Sequence, residues 1–251
     1  MFFGFDLKEI FMFPIKDEEA RKHLLVGCLV CLAAFIIPIL PYLMLFGYAV
    51  RIARQVMNNE SPHMIAWDDW GGLAKDGIKM FGIRILFSLP ILIFTIPFFL
   101  SMIAFPILLG TASDSEIQRF LPIFMVLLFG GLCILIPISI PLALIIPGAE
   151  MYVVDKDEFS AGFRFREWWP IFRANISGFI TAFAVYYLSV MAFTLAMQIL
   201  GATIILACLM FILIPVMTIY ITLIMYVTIA QAYRDGKLKL AQKASPLQTT
   251  S

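Results

Sequence analysis

Three places in the sequence hold residue types that can do chemistry. Cys28 and Cys31 form a C-x-x-C pair. At helical pitch the two thiols share a face one turn apart, the spacing of a metal or redox pair. A zinc site takes four soft or imidazole ligands, and the chain has only four cysteines and two histidines, His23 and His63. Cys133 and Cys208 stand apart in other apolar runs, so the cysteines read as small buried apolar side chains. Asp68 and Asp69 are adjacent carboxylates, the type of pair that holds magnesium in an intramembrane phosphotransferase. They stand between Trp67 and Trp70 and read as the solvated face of an interfacial helix. Glu150 and Gln198 are the third place. An ion-coupled transporter keeps an ionisable residue inside the membrane, but Glu150 sits at the end of an apolar run and reads as an anchor. Gln198 reads as an inter-helix hydrogen bond. No P-loop, G-x-S-x-G or H-E-x-x-H occurs. The expectation is a protein that is not an enzyme and carries no cofactor or metal.

The elements that would position these residues are set by composition. The 251 residues are 62% hydrophobic and 14% charged, against about 45–50% and about 25% in soluble domains. A chain this apolar is solvated by lipid. Its net charge of +1 gives no field that would recruit nucleic acid. The N-terminal stretch lacks a signal-peptide cleavage pattern and is expected to be retained.

Residues 24–50, 85–113, 120–149 and 174–233 carry no Asp, Glu, Lys, Arg or His. A helix crosses the hydrocarbon core in about 20 residues. The second and third runs make one span each, and the last divides near Gly201 into two. Residues 51–84 hold five Lys/Arg, 150–173 hold four and the stretch from Arg234 holds four, whereas 114–119 hold only Arg119. Positive segments stay cytoplasmic, so the spans form two hairpins, 85–149 and 174–233, whose turns at 114–119 and Gly201 lie outside. The membrane segments are expected at 24–50, 84–110, 120–149, 174–200 and 202–231, within one membrane domain over 1–235, followed by a flexible cytoplasmic tail over 236–251.

The run 24–50 contains "FIIPILPYLMLF", with Pro38 and Pro41. The N-terminal stretch, with Lys8, Lys16, Arg21 and Lys22, is also basic. If both it and 51–84 stay inside, 24–50 enters and leaves by the same face, turning at the prolines, which end one helix and restart another. The alternative is a fifth, kinked span. The fold class is all-α integral membrane protein: four full transmembrane helices in two hairpins, plus an N-terminal Pro-broken re-entrant hairpin or fifth span, with amphipathic interfacial helices.

Three lead-ins, 5–23, 64–82 and 157–173, mix aromatics with charge and end just before apolar runs. In the second, Trp67, Trp70, Ala74, Ile78 and Phe81 fall on one helical face, with Asp68, Asp69, Lys75, Asp76 and Lys79 on the rest. In the third, Arg164, Arg166, Trp168, Trp169 and Arg173 can meet headgroups, and Pro170 is expected to end the helix. Arg84 snorkels from the start of its span. The exits "GYAVRIARQ" and "AQAYRDG" resemble each other, as if a unit of lead-in, hairpin and exit recurs.

The stretches "FMFPIKD", "IIPILPYLMLFGYAVRIARQV", "AWDDWGGLAKDGIKM" and "FSAGFRFREWWPIFRANISGF" resemble, in order and spacing, domain-of-unknown-function family 4013, a group of bacterial and archaeal multi-pass membrane proteins. The similarity covers roughly residues 10–232. It implies a cell-membrane location and supplies no catalytic residue. The functional expectation is a membrane-organising or scaffold protein with lipids as partners, and with a membrane-protein partner or a second copy as a further possibility. The alternative is a transport or lipid-handling component for a neutral or amphiphilic substrate, built on helices broken by proline, as in "LIPISIPLALIIPG".

Overall fold

A computed structural model describes residues 5–110, 113–202 and 209–244. It is all-α, with no strand among the described residues. The helices are α1 (Leu7–Met12), α2 (Glu18–Leu32), α3 (Leu40–Met57), α4 (Trp70–Leu109), α5 (Asp114–Lys156), α6 (Phe165–Ala174), α7 (Ile176–Gly201) and α8 (Met210–Ala244). Four of them, α4, α5, α7 and α8, are long and apolar enough to cross a membrane. The chain is a membrane protein.

It divides into two units. The first is discontinuous, made of Met1–Ile83 and Pro147–Ser251; the second is Arg84–Ile146. The first, here the packed unit, has a closed core: Tyr48, Ile52, Leu73, Ile83, Met151, Trp168, Ile224, Tyr226 and Tyr233 are at most 1% exposed. Within it α2, α3 and α8 lie together. Phe35 packs on Phe211 with ring centroids 5.8 Å apart, and a Cβ on Gly27 would meet Ile219, so α2 runs antiparallel to α8. Phe46 packs on Tyr226 and Arg234 donates to the Val56 carbonyl, so α3 runs parallel to α8. The chain therefore reverses between α2 and α3. The reversal is a 3-10 turn at Ala33–Phe35 followed by a non-helical stretch at 36–39. Pro41 falls in the first turn of α3, where its missing N–H costs no intrahelical bond. The two exits with similar sequences, on α3 and α8, run side by side.

The helices α3 and α4 cross with their backbones touching. A Cβ on Gly47 would lie 1.9 Å from the Leu73 carbonyl oxygen, and one on Gly77 1.8 Å from that of Leu43. Glycine is required at both positions because the main chain of one helix fills the side-chain space of the other.

The second unit is a pair of helix segments. Phe105 stacks on Phe124 at 3.8 Å and Phe98 covers Gly131, so the segments run antiparallel. None of its described residues is buried.

Four expectations change. The lead-in at 64–82 and the span at 84–110 are not separate helices: α4 is continuous for 40 residues, and Trp67–Asp69 precede it. Proline does not break the spans. Pro90, Pro97 and Pro106 lie inside α4, and α5 runs unbroken through 135–148. An interior proline costs a helix about 3 kcal/mol in water. Opening the helix in hydrocarbon would strand several backbone groups at several kcal/mol each, so the helix stays intact. Pro170 likewise sits inside α6, which ends at Ala174. Finally, the stretch from 236 is not free: α8 continues to Ala244. Residues 203–208, which include Cys208, and residues 245–251 lie outside the described residues.

Candidate functional site

The polar side chains of the packed unit gather into two clusters. The first joins α3, α4 and the end of α5. Arg51 binds Asp69 at 2.5 Å and reaches Asp76 at 4.0 Å. Arg54 bridges Asp76 at 3.1 Å and Asp157 at 2.7 Å. Lys79 meets Asp157 at 2.7 Å and donates to its carbonyl. Three cations thus face three carboxylates. Asp76 is only 7% exposed, and a carboxylate so buried is tolerable because it is paired. Asp157 is held with φ +56°, a left-handed conformation that Asp accepts better than most residues. The Lys79 ammonium, with Arg54 behind it, holds the Asp157 carboxyl below its ordinary range. Asp69 is also lowered, first by the Gly72 N–H that it accepts at the start of α4 and then by Arg51. The Asp68–Asp69 pair is thus employed as a helix cap and an ion pair, and Asp68 accepts the N–H of Asp69.

The second cluster sits where α6, α7 and α8 meet. Asn175, 4% exposed, separates α6 from α7. Its amide donates to the Ala232 carbonyl at 2.8 Å and its oxygen accepts from Lys239 at 2.6 Å. Gly178 and Gly236 make room for it: a Cβ on Gly178 would clash with the Asn175 amide, and one on Gly236 would lie 2.6 Å from the Ile171 carbonyl. Nearby, Asp155 accepts from Lys237 at 2.8 Å and from Tyr233 at 3.2 Å.

The residues expected at headgroup level separate into two groups. Trp67 and Trp168 are 8% and 1% exposed and belong to the core. Trp67 stacks on Tyr48 at 4.0 Å and donates to the His23 carbonyl at 2.9 Å; Trp168 donates to the Gly162 carbonyl at 3.0 Å. Their indole N–H groups are used by backbone, so a headgroup role does not fit them. Trp70, Arg164, Arg166 and Arg173 are exposed, and Trp169 and Arg84 half-buried. Arg164 pairs with Glu158 at 2.6 Å. Around Arg164 and Arg166, Phe159, Phe163 and Phe165 are each 39–50% exposed, giving a surface of aromatic rings and guanidinium groups. At the α2–α3 turn, Phe35, Ile36, Ile37 and Ile39 project outward, Ile36 at 84%, with Pro38 among them and Pro41 buried behind.

Glu150, expected at an interface, is fully buried in the packed unit. Gln198 is exposed on α7. Cys28 and Cys31 are buried free thiols and Cys133 is exposed. No group of three or more His, Cys, Asp or Glu able to hold a metal occurs among the described residues. In the apolar helices, hydroxyls bond back to their own helix: Thr181 to Ser177, Ser189 to Val185, Thr194 to Val190 and Thr218 to Ile214. Such hydroxyls satisfy themselves within one helix.

Sequence reasoning did not pick out Arg51, Arg54, Lys79 and Asp157 as a cluster, nor Asn175. A signal was present for the first: Arg51 and Arg54 are one turn apart, as Asp76 and Lys79 are, so each pair shares a helix face.

A family model described as "Protein of unknown function (DUF4013)" matches residues 30–202, more than half of the chain. This is the family that the sequence motifs resemble, although "FMFPIKD" at 11–17 precedes the matched stretch. No curated protein and no solved structure matches the chain.

Proposed function

The chain belongs to the DUF4013 family, and from that premise we propose that it is a non-enzymatic multi-pass membrane protein that organises the bilayer around it. Its first partners are lipids, with a membrane protein or a second copy as further partners. The observation that carries this reading is the α2–α3 reversal. The charged start of α2 and the Arg51–Arg54 end of α3 lie toward one end of α8. The apolar turn at Phe35 lies at the other end, beside Phe211. In this reading the pair is a re-entrant hairpin whose exposed Ile36 and Ile37 enter hydrocarbon. The N-terminus, the 51–84 segment and the C-terminus then share the cytoplasmic side of a bacterial or archaeal cell membrane.

On that side the packed unit adds α6 and the segment 58–69 to α2, α3, α7 and α8. A body wider at one end displaces more lipid from one leaflet, which favours curvature. The exposed Phe159, Phe163 and Phe165 with Arg166 and Arg173 suit the headgroup layer, aromatic bodies in the interface and guanidinium groups on phosphate. A second reading, a lipid-handling component, is favoured by an apolar groove between α1, α7 and α8. Because α4 and α5 run through their prolines, this second reading rests on the groove rather than on broken helices.

Two measurements test the proposal. In a chain whose four native cysteines are replaced, single cysteines at Lys16 and Lys243 are treated with a membrane-impermeant label. Both should be protected in intact cells and react in opened membranes. A Lys16 site that reacts in intact cells while Lys243 does not makes 24–50 a crossing and sinks the hairpin. Purified protein should also change the size and shape of vesicles containing anionic lipid; vesicles indistinguishable from protein-free ones sink the organising role.

A further inference from the structure

We propose that the groove between α1, α7 and α8 is a binding site for one acyl chain of a membrane phospholipid. This goes beyond the organising role, since a lipid can be retained whether or not the bilayer bends. The groove is open on one side, has a volume of about 530 Å³ and is walled by Leu7, Phe11, Leu188, Ala192, Met217 and Ile221. That volume lies in the range of about 300–1,000 Å³ typical of small-molecule sites. No charged side chain lines it. Its two hydroxyl groups are already used: Ser189 donates to the Val185 carbonyl at 2.7 Å, and Tyr220 donates to the Phe11 carbonyl at 2.5 Å. A polar occupant would lose its hydration and find no partner, so the occupant is apolar along its length.

The groove is also continuous with the surface that faces lipid. Leu188 is 65% exposed, and Met191 and Leu195, at 60% and 57%, extend the same face along α7. A chain from the surrounding leaflet can enter without crossing water. The Tyr220 bond fastens α1 over the groove, with Leu7 and Phe11 one turn apart on its inner face. The other side of α1 is polar: Asp6, Lys8, Glu9 and Lys16 line a separate cavity of about 360 Å³. That cavity lies apart from the groove and does not choose its occupant; the groove's opening onto the lipid-facing side of α7 does, and it commits the occupant to an acyl chain of the surrounding phospholipid.

The test uses the full chain, extracted in mild detergent after incorporation into membranes containing a phosphatidylethanolamine with a photoreactive acyl chain. Native mass spectrometry should find one phospholipid retained per chain, and cross-linked peptides should concentrate at Leu7–Phe11, Leu188–Phe193 and Met217–Ile221. Ala192→Trp and Met217→Trp, which fill the groove from different helices, should each lower retention at least fivefold. No retained lipid in the wild type overturns the proposal. So does label spread evenly along the exposed face of α7, or retention unchanged in both variants. Residues 1–4, Met-Phe-Phe-Gly, are the competing occupant from this chain. Lipid retained only after their removal assigns the groove to them and overturns the proposal. If neither variant folds, retention and cross-link position in the wild type decide.

Discussion

The packed unit and the Arg84–Ile146 unit are both helical and rich in apolar residues yet are held together differently. In the first, helices meet through glycine contacts, aromatic stacks and ion pairs, and Tyr48, Ile52, Tyr226 and Glu150 are wholly enclosed. In the second no described residue is buried, and Phe98 on Gly131 and Phe105 on Phe124 are contacts within an otherwise lipid-facing pair. Lipid tails are as apolar as leucine, so no hydrophobic force drives helices together there. Specific structure in this protein therefore resides where helices leave hydrocarbon and can use charge, hydrogen bonds and water exclusion. The second unit is specified by length and apolarity, which many sequences would satisfy.

The largest expected effect comes from the glycine crossing. Gly77→Leu pushes a side chain into the Leu43 carbonyl and should cost about 3 kcal/mol or more, seen as loss of cooperative thermal unfolding in detergent. Gly130→Leu, with nothing within 4 Å of its Cβ position, should change stability by less than about 0.5 kcal/mol. Equal losses would erase the distinction between the units. Tryptophan fluorescence is a suitable probe, because Trp67, Trp70, Trp168 and Trp169 all lie in the packed unit.

Next comes the ion cluster. Asp76→Asn should cost about 2–3 kcal/mol, because it removes the most buried carboxylate of the cluster and leaves Asp69 and Asp157 alone to balance three cations. Arg119→Gln, exposed in the second unit, should be silent by the same melting assay. A smaller loss, about 1 kcal/mol, is expected for Trp67→Phe, which keeps the ring on Tyr48 but loses the indole N–H donated to the His23 carbonyl. Trp70→Phe should melt like the wild type; if it falls as far as Trp67→Phe, burial is not what separates the two tryptophans.

The smallest effect is on pH. Asp157 and Asp69 have folded-state pKa values below their ordinary ones, so their pairing adds stability above the unfolded carboxylate value of about 4. That stability is lost as pH falls through the lower folded values. Melting temperature should drop on acidification below about pH 4, and Asp157→Asn should flatten that slope. Both carboxylates are well exposed, so the change is shallow.

Much of the architecture was legible because lipid imposes a simple rule: no charge for about 20 residues. That rule located all four long helices; for 24–50, Pro38, Pro41 and the basic residues on either side left a turn and a kinked span both open. It could not show that 64–82 and 84–110 merge. Gly71, Gly72 and Gly77 argue against a helix in water, and Gly77 is present because α3 needs its missing side chain. Trp67 beside two aspartates read as a headgroup residue, since its partner Tyr48 lies in another helix. The ion cluster was hidden for the same reason: Arg54 and Asp157 are 103 positions apart, and local periodicity carries no information over that distance.

The interruption of the packed unit by 84–146 also sets an order of assembly. Arg51 and Asp69 can pair once α4 begins to emerge, and α3 can lock onto α4 through Gly47 and Gly77 soon afterwards. Arg54 and Lys79 must then wait for Asp157, which is synthesised only after the second unit is complete. Tyr220 fastens to Phe11 across 209 positions, near the end of synthesis. Throughout that interval the faces of α2 and α3 destined for α8 are uncovered. Closure of long loops is slow, and exposed apolar surface invites misassembly. The nascent protein thus carries these uncovered faces until its last helix arrives.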